Sequence, residues 1–557
     1  MKLKRIIATA FALMSVLVCA AGCGKGSVSV DDIPNYTEYK QNDVNNHKFE
    51  SYAYSGLSDG LFEQKGLDWY CGQSLITLEQ FKEYKACGFD ILMPQSIAVA
   101  GTDMLKTVMD LAMLAGLKVI VTDNAIYQGA SANPMEVNGK VYATEAALDA
   151  QVKNWMSSYW NHPAFYGVMM EDEISNAKLH GSYGDLYKSV RRVLDANGHA
   201  DKHIHANTMA MSTWNGYLEH GEIPDRWTEI SNDKYLEILG PEFKAQVEAA
   251  KEANGGEISQ DDFWEKVNAF AMDGAKKDER QAAIMWARFE AFVRKFFEVT
   301  DADHIAIDHY PLYADGPMGH TIMSYQICSM VAEELGKDFH VVTQTMSYVP
   351  NNADSRRYYK EHDMRFMNDM MLGFGVDCIM YFTYFVHGDD NQGFFLEECS
   401  FVTWYGQKTE MWYFMQKIMA DNQAFANTIK NFDYVTSRVY KKHLSGYYTG
   451  YIDNARNMGE FTKLLNVETD QSYCLITEMR DNSYKKGNYL YMVQNPVDSQ
   501  WRTAATHCST TLTFAAEYKY ALLWVNGVQS KVALDENHQL VVDNPAGQAT
   551  FVLPYNA

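Results

Sequence analysis

The sequence predicts an α/β chain: a (β/α)8 TIM barrel with a helical insertion after the fifth strand, followed by a C-terminal all-β sandwich domain. Short apolar runs alternate eight times with longer helical patterns, as in a parallel sheet joined by crossover helices. From about residue 435 the pattern changes to short alternating segments separated by turn residues such as Asn526-Gly527, which is typical of a β-sandwich. We therefore expect the barrel domain at 47–434 and the sandwich at 435–557.

The barrel strands are predicted from the apolar runs, and the helices from the intervals between them. The predicted strands are 67–71, 89–93, 117–122, 165–170, 203–207, 304–307, 339–344 and 378–384. Helices are predicted from about 77 and at 104–115, 145–159, 321–335, 356–374 and 409–427. Residues 209–300 form the insertion, and its last part is expected to be the barrel's own fifth helix. The apolar residues at helical spacing there are Ile284, Phe289, Val293, Phe296 and Phe297.

The N-terminus has the pattern of a secretory signal. Three basic residues within the first five precede an apolar run at 6–18, which is too short to span a membrane. The run closes with Ala-Ala-Gly before Cys23, which resembles the lipobox of bacterial lipoproteins. That resemblance implies a signal peptide at 1–22, a lipidated Cys23 with a tether at 23–46, and a place on the extracellular side of the bacterial membrane. An ordinary signal peptide with an incidental cysteine is the alternative.

Composition excludes several classes of partner and cofactor. The net charge of −23 would repel nucleic acid. The nine cysteines lack CxxC spacing, so neither a zinc site nor a disulfide framework is predicted. There is also no phosphate loop, no glycine-rich dinucleotide turn and no serine nucleophile elbow. We therefore predict no cofactor.

Three consecutive acids stand at the end of the predicted fourth strand. The stretch 162–175 reads HPAFYGVMMEDEIS, and its apolar run ends in Glu171, Asp172 and Glu173. A buried carboxylate without a partner is costly, and neighbouring like charges raise one another's pKa. The active site of a TIM barrel lies at the carboxyl ends of its strands. The three acids are therefore predicted to belong to the functional site.

The other strand ends contribute carboxylates, amides, imidazoles and aromatic rings. The candidate residues there are Asp68, Trp69, Asp123, His205, Asn207, Asp308, His309, Tyr310, Gln344 and Tyr384. Trp404, in the loop after the eighth strand, is expected to wall the pocket. This set suits a carbohydrate, because acids perform glycosidic chemistry, polar groups bind hydroxyls and aromatic rings cover the apolar faces of pyranoses.

The barrel with its sandwich, the HPxxxG run entering strand four and the Asp172-Glu173 pair together resemble glycoside hydrolases of the TIM-barrel superfamily. The resemblance implies a hydrolase acting on O-glycosidic bonds of oligo- or polysaccharides. It also implies that Glu173 is the general acid/base that protonates the departing glycosidic oxygen.

Two retaining mechanisms fit this resemblance differently. The large clan that includes β-galactosidases usually has Asn before the acid and a Glu nucleophile ending strand seven, where this chain has Asp172 and Gln344. The Asp-Glu pair is more similar to substrate-assisted β-N-acetylhexosaminidases. In those enzymes the substrate acetamide attacks, the Asp orients it and the Glu is acid and base, so that no strand-seven nucleophile is required. Tyr310 or Tyr384 would then donate to the acetamide oxygen.

Two further readings stay open. An inverting hydrolase would use Asp308 or Asp123 as the base that activates water. A surface lipoprotein that binds glycans without cleaving them is the non-catalytic alternative. It is suggested by Gln344 and by Ile174, which stands where a Pro is expected after the acidic pair.

Two features receive a more structural interpretation. In strand geometry, alternate residues share a face, so Glu171 is expected to be a structural or ligand-positioning partner rather than a catalytic acid. His203-Ile204-His205 resembles the HxH of metal-dependent amidohydrolase barrels, which carry it on the first strand with a later Lys, further His and Asp. Here it falls on the fifth strand with no matching set, so no metal site is predicted. His205 is expected to face the sugar.

Overall fold

A computed structural model describes most of the chain in two compact units. One unit comprises Glu50–Tyr358 and Val376–Tyr413, and the other comprises Met1–Phe49, Tyr359–Gly375 and Phe414–Ala557. The described residues are 29–36, 50–54, 56–57, 74–93, 103–211, 230–313, 316–347, 357, 359–385, 400–403, 405–440, 449–470, 473–482 and 488–556.

The first unit is a closed barrel of eight parallel strands, so the predicted fold class is confirmed. The strands, β1 to β8, are Glu50–Tyr54, Ile91–Met93, Lys118–Thr122, Phe165–Glu171, His203–Met209, His304–His309, Asp338–Gln344 and Cys378–Phe382. Each pairs with its neighbour in sequence, and β1 closes the barrel against β8. The carboxyl ends of all eight strands therefore meet at one mouth.

The prediction of the first strand is wrong. Residues 67–71 lie outside the described ranges, and the barrel's first strand is Glu50–Tyr54, which pairs in parallel with both β2 and β8. Its sequence, ESYAY, is short and follows a polar tether, so its pattern is weak. It forms a strand because barrel closure supplies a partner on each side.

Helices fill the intervals between the strands, and the predicted insertion after β5 is confirmed as helical. The helices, α1 to α12, are Leu78–Cys87, Asp103–Ala115, Glu145–Met156, Asn176–His180, Tyr183–Ala196, Asn232–Ala253, Gln260–Met272, Lys277–Thr300, Thr321–Leu335, Glu361–Gly373, Glu410–Ile429 and Gly450–Asp453. All five apolar residues predicted on the last helix of the insertion, α8, are buried. Within the described ranges, no helix has the length and apolar character needed to cross a bilayer.

The approach of β4 to β5 explains the glycine of the HPxxxG run. Gly167 pairs with His203, and a Cβ on Gly167 would lie 2.1 Å from the His203 carbonyl oxygen. Real Cβ atoms are not found this close to backbone, so only glycine permits this strand spacing.

The second unit contains a β-sandwich, as predicted. Its strands, β9 to β17, are Phe432–Tyr440, Leu464–Thr469, Cys474–Asp481, Tyr489–Gln494, Cys508–Phe514, Tyr520–Val525, Val528–Ala533, Gln539–Asn544 and Ala549–Tyr555. They form a six-stranded antiparallel sheet, β9-β11-β12-β17-β14-β15, and a three-stranded sheet, β10-β13-β16. Side chains from both sheets share one apolar core. The first of these strands begins at Phe432, close to the predicted domain boundary.

Candidate active site

Asp172 stands at the barrel mouth immediately after β4 and is held by two donors. Its Oδ1 accepts a hydrogen bond from the Tyr54 hydroxyl at 2.5 Å and another from Asn207 Nδ2 at 3.1 Å. Tyr54 ends β1 and Asn207 lies on β5, so the carboxylate is reached from two strands. Donors to a carboxylate favour its charged form and fix its orientation.

Asp308, on β6, is the second carboxyl group of the mouth. Asn207 donates to Asp172 and also lies close enough to Asp308 to affect its carboxyl group. Burial, followed by the charge of Asp172, raises the pKa of Asp308 well above its usual range, against the opposing effect of the polar Asn207 and Tyr310 side chains. Burial and the charge of Asp172 therefore favour the neutral form of Asp308 relative to an ordinary aspartic acid.

Glu173 is the third carboxylate at this mouth. It lies close enough to Asp308, Tyr310 and Tyr127 for its charge to raise their pKa values. Its backbone has φ of 50°, in the left-handed region. Residues other than glycine seldom adopt this conformation, and such strain is concentrated at functional sites. The strand therefore ends at Glu171, which allows Asp172 and Glu173 to leave the alternation of β4.

Aromatic side chains surround the carboxyl groups. Tyr54, Tyr127, Tyr310 and Phe382 pack on the apolar interior of the barrel, and the Tyr310 and Phe382 rings stack at 5.6 Å. Burial, together with the neighbouring Asp172 and Asp308, raises the pKa of the Tyr54 hydroxyl, so it stays a donor. Sequence reasoning missed Tyr54 because the first strand was misplaced, and it missed Tyr127 because that residue follows β3 in a turn.

Glu171 and Asp123 are engaged by the protein itself. Both oxygens of the buried Glu171 accept from Lys178 Nζ, at 3.0 and 3.2 Å. The carboxylate of Asp123 accepts from the Tyr159 hydroxyl at 2.8 Å and from the backbone N–H of Ala125 at 3.0 Å. The structural interpretation of Glu171 agrees with this contact, whereas the structure does not bring Asp123 into the Asp172 cluster.

Gln344 ends β7 as predicted, but its amide bonds to the protein backbone. Its Oε1 accepts from the Leu312 N–H at 3.1 Å, and its Nε2 donates to the Leu312 carbonyl at 2.9 Å. These two bonds hold the loop after β6 in place. The residue therefore stabilises the mouth instead of presenting its amide to a ligand.

His309 and Tyr384 lie outside the barrel mouth. His309 follows Asp308 directly, so it points to the other face of β6, where its ring is 5.3 Å from Tyr325 of α9. Tyr384 comes after β8 has ended at Phe382, and its ring is buried 4.8 Å from that of Tyr84 on α1. Their predicted places in the sugar site are wrong for these geometric reasons.

His205 lies one layer below the mouth, inside the barrel. Its Nδ1 is 3.1 Å from the Tyr52 hydroxyl, and its ring is 5.9 Å from that of Tyr54. Three predicted residues, Asp68, Trp69 and Trp404, lie outside the described residues, as does Cys23.

Solved structures with a similar fold are glycoside hydrolases. A family 39 glycoside hydrolase from Bacteroides cellulosilyticus WH2 aligns with a TM-score of 0.39 and 11% identity, over 91% of this chain and 81% of that chain. A β-galactosidase from Bacillus circulans sp. alkalophilus aligns with a TM-score of 0.39 and 8% identity, over 91% and 99%. A family 99 endo-α-mannosidase from Bacteroides thetaiotaomicron aligns with a TM-score of 0.37 and 10% identity, over 68% and 98%. Similarity at this level concerns the fold and does not identify an activity.

No protein-family model matches the sequence, and no curated protein matches it either.

The raised pKa of Asp308 predicts a pH-dependent difference in stability. The folded protein binds this proton more tightly than the unfolded chain, so the free energy of unfolding falls as pH rises from the ordinary carboxyl pKa of about 3.9 towards the folded value, by up to about 1.4 kcal/mol per pH unit. Asp308→Asn removes this proton. We expect the variant to gain stability relative to the wild type between pH 4 and 7, measured by urea unfolding.

The control for this measurement is Asp201→Asn. A hydrogen bond from Lys202 lowers the pKa of the exposed Asp201, so its replacement should give a small difference of opposite sign. If the free energy of unfolding of Asp308→Asn relative to the wild type stays constant or falls as pH rises from 4 to 7, the raised pKa of Asp308 is contradicted.

Proposed function

We propose that the chain is a glycoside hydrolase that cleaves O-glycosidic bonds of oligo- or polysaccharides at the barrel mouth. The observation that supports this most is the pair of carboxyl groups at the mouth, in which Asn207 donates to Asp172 and the charge of Asp172 raises the pKa of Asp308. Glycosidic cleavage requires one carboxyl group to give a proton and a second, ionised one on the other side of the reacting centre. The surrounding tyrosines suit the apolar faces of a sugar ring.

The protonation states assign the roles in this proposal. Asp308 donates its proton to the departing glycosidic oxygen, and Asp172 acts at the anomeric carbon. In a direct displacement, Asp172 forms the glycosyl ester, after which Asp308 takes a proton from the attacking water and the ester bond breaks. In a substrate-assisted reaction, the acetamide oxygen attacks and Asp172 orients its N–H. The sequence predicts Glu173 as the general acid/base, and this assignment competes with that of Asp308. Activity measurements on variants of the two residues decide between them.

The experiment is an activity screen on aryl glycosides and polysaccharides, followed by NMR of the first product anomer. The charge of Asp172 acts on Asp308, so the two carboxyl groups are near one another, as in retaining glycosidases, whose carboxyl groups are about 5–5.5 Å apart. We therefore expect retention of configuration. Inversion of configuration would indicate a carboxylate that activates water as a base. If the protein binds substrates but cleaves none of those tested, the proposal is contradicted.

A second candidate function is glycan binding without catalysis. The observation that favours it is Gln344, which supplies no carboxylate from β7 and is occupied by the Leu312 backbone. Calorimetry with glycans that the protein fails to cleave would detect this function.

Tyr54→Phe is expected to lower kcat by about 10-fold or more while leaving the fold intact. The change removes the 2.5 Å hydrogen bond to Asp172, which orients the carboxylate and stabilises its charge. Tyr159→Phe is the matched control, since Tyr159 also donates to a carboxylate, that of Asp123. Equal activity of the two variants would contradict a role for Tyr54 in the site.

We also propose that the chain is secreted and anchored to the extracellular side of the bacterial membrane through lipidated Cys23. The proposal depends on the small residues before this cysteine and the basic and apolar segment ahead of them. Cys23→Ser is expected to move the protein from the membrane fraction to the soluble fraction, as measured by immunoblotting. An unchanged distribution would favour an ordinary signal peptide.

A further inference from the structure

Four histidines line the interior of the barrel below the carboxyl groups of the mouth. His203 and His205 lie on β5, His304 begins β6, and His340 lies near the start of β7. The rings of His203 and His304 stack at 4.6 Å with 12° between their planes, and those of His304 and His340 stack at 4.2 Å with 18°. None of these residues has a part in the proposed glycosidic reaction.

Two of the ring nitrogens lack a hydrogen-bond partner. His203 Nε2 and His205 Nε2 are buried and accept or donate no hydrogen bond within the described part of the chain. An unsatisfied buried polar atom costs about 1–3 kcal/mol, so such atoms usually have a specific reason. His205 is fully buried, with Tyr52 at its Nδ1, which leaves Nε2 directed to the cluster.

The spacing is also close to that of a metal site. One ring nitrogen from each of His203, His205 and His304 lies within 4.8 Å of the others. Tetrahedral coordination with bonds of about 2.0–2.1 Å requires nitrogens about 3.4 Å apart. Because an imidazole binds a metal in its ring plane, the stacked rings of His203 and His304 would have to rotate out of their parallel arrangement to share one ion. The Tyr52 hydroxyl would accept from His205 Nδ1–H, which places the free electron pair on Nε2.

We propose that His203, His205 and His304 bind a divalent first-row transition metal, with water in the fourth position. Three imidazoles suit Zn²⁺, Co²⁺, Ni²⁺ or Cu²⁺. The ion would tie β5 to β6 inside the barrel and satisfy the unpaired nitrogens. The site is structural and separate from the carboxyl groups at the mouth.

The test uses the full-length mature protein, stripped with a chelator and titrated with Co²⁺ and Zn²⁺. We expect elemental mass spectrometry to find one equivalent of bound metal per chain. The Co²⁺ form should show the visible absorption of tetrahedral Co²⁺ with nitrogen ligands. Excess Zn²⁺ should raise the melting temperature by several degrees. His203→Phe and His304→Phe keep an aromatic ring in the stack and should abolish all three effects. His320→Phe replaces a buried histidine outside the cluster and should keep them.

Substoichiometric binding by the wild type, or unchanged binding by His203→Phe, would overturn the proposal. If a phenylalanine variant fails to fold, the Co²⁺ spectrum of the wild type decides, because a four-coordinate site gives intense visible bands and six-coordinate Co²⁺ on surface carboxylates gives only weak ones. The measurement requires no turnover, so its result is independent of the proposed glycosidase activity.

Discussion

Asp172→Asn and Asp308→Asn are each expected to lower kcat/KM by about 10²–10⁴-fold, the usual range for a lost catalytic acid or base. Asparagine keeps the size of each side chain and its contact with Asn207, but it can neither hold the proton of Asp308 nor carry the charge of Asp172. The two variants should differ in how their loss of activity depends on the leaving group. Asp308→Asn should retain most of its kcat/KM on substrates with an activated aryl leaving group, because such a group departs without a proton, although kcat falls where Asp308 is also the base for the attacking water. Asp172→Asn should lose activity on both kinds of substrate.

Glu173→Gln, measured on the same substrates, decides between the two candidate acids. If the leaving-group dependence appears in Glu173→Gln and is absent from Asp308→Asn, the proton donor is Glu173, as the sequence predicts, and the role assigned to Asp308 fails. Asp201→Asn, which is exposed and precedes β5 at the end opposite the mouth, controls for nonspecific effects of losing a carboxylate. Thermal unfolding of each variant separates loss of chemistry from loss of fold.

Gly167→Ala is expected to lower the free energy of unfolding by more than about 4 kcal/mol, which is exceptional for a single substitution. The added Cβ would lie 2.1 Å from the carbonyl oxygen and 2.7 Å from the carbonyl carbon of His203. Both are backbone atoms of a paired strand, so the contact cannot be relieved by rotating a side chain. The barrel must open between β4 and β5, where Asp172 and Asn207 form part of the site.

The control for this prediction is Gly459→Ala, in the second unit. Its Cβ would meet only the side chain of Thr436, at 3.2 Å, so its effect on stability should be small. Urea unfolding followed by circular dichroism measures both variants. Equal stability of the two would show that the β4–β5 spacing tolerates a methyl group.

Sequence periodicity was sufficient to predict the fold class. Seven of the eight barrel strands and the helical insertion were recognised because each buries an apolar run or an apolar helical face, and burial leaves a local pattern. The first strand, Glu50–Tyr54, was not predicted because its five residues, Glu-Ser-Tyr-Ala-Tyr, contain no continuous apolar run. Its identity as a strand depends on β2 and β8, which are distant in sequence.

The candidate site also has features that the sequence predicts and features that depend on the tertiary structure. The sequence by itself determined that Asp172, Glu173, Asn207, Asp308 and Tyr310 belong to one mouth, because carboxyl ends of parallel strands converge. Only the tertiary structure decided that Asn207 and Tyr54 both donate to Asp172, and that burial and the charge of Asp172 raise the pKa of Asp308. It also placed His309 and Tyr384 elsewhere and stacked His304 on His203. Direction, burial and hydrogen bonding arise between strands far apart in sequence, so no local pattern contains them.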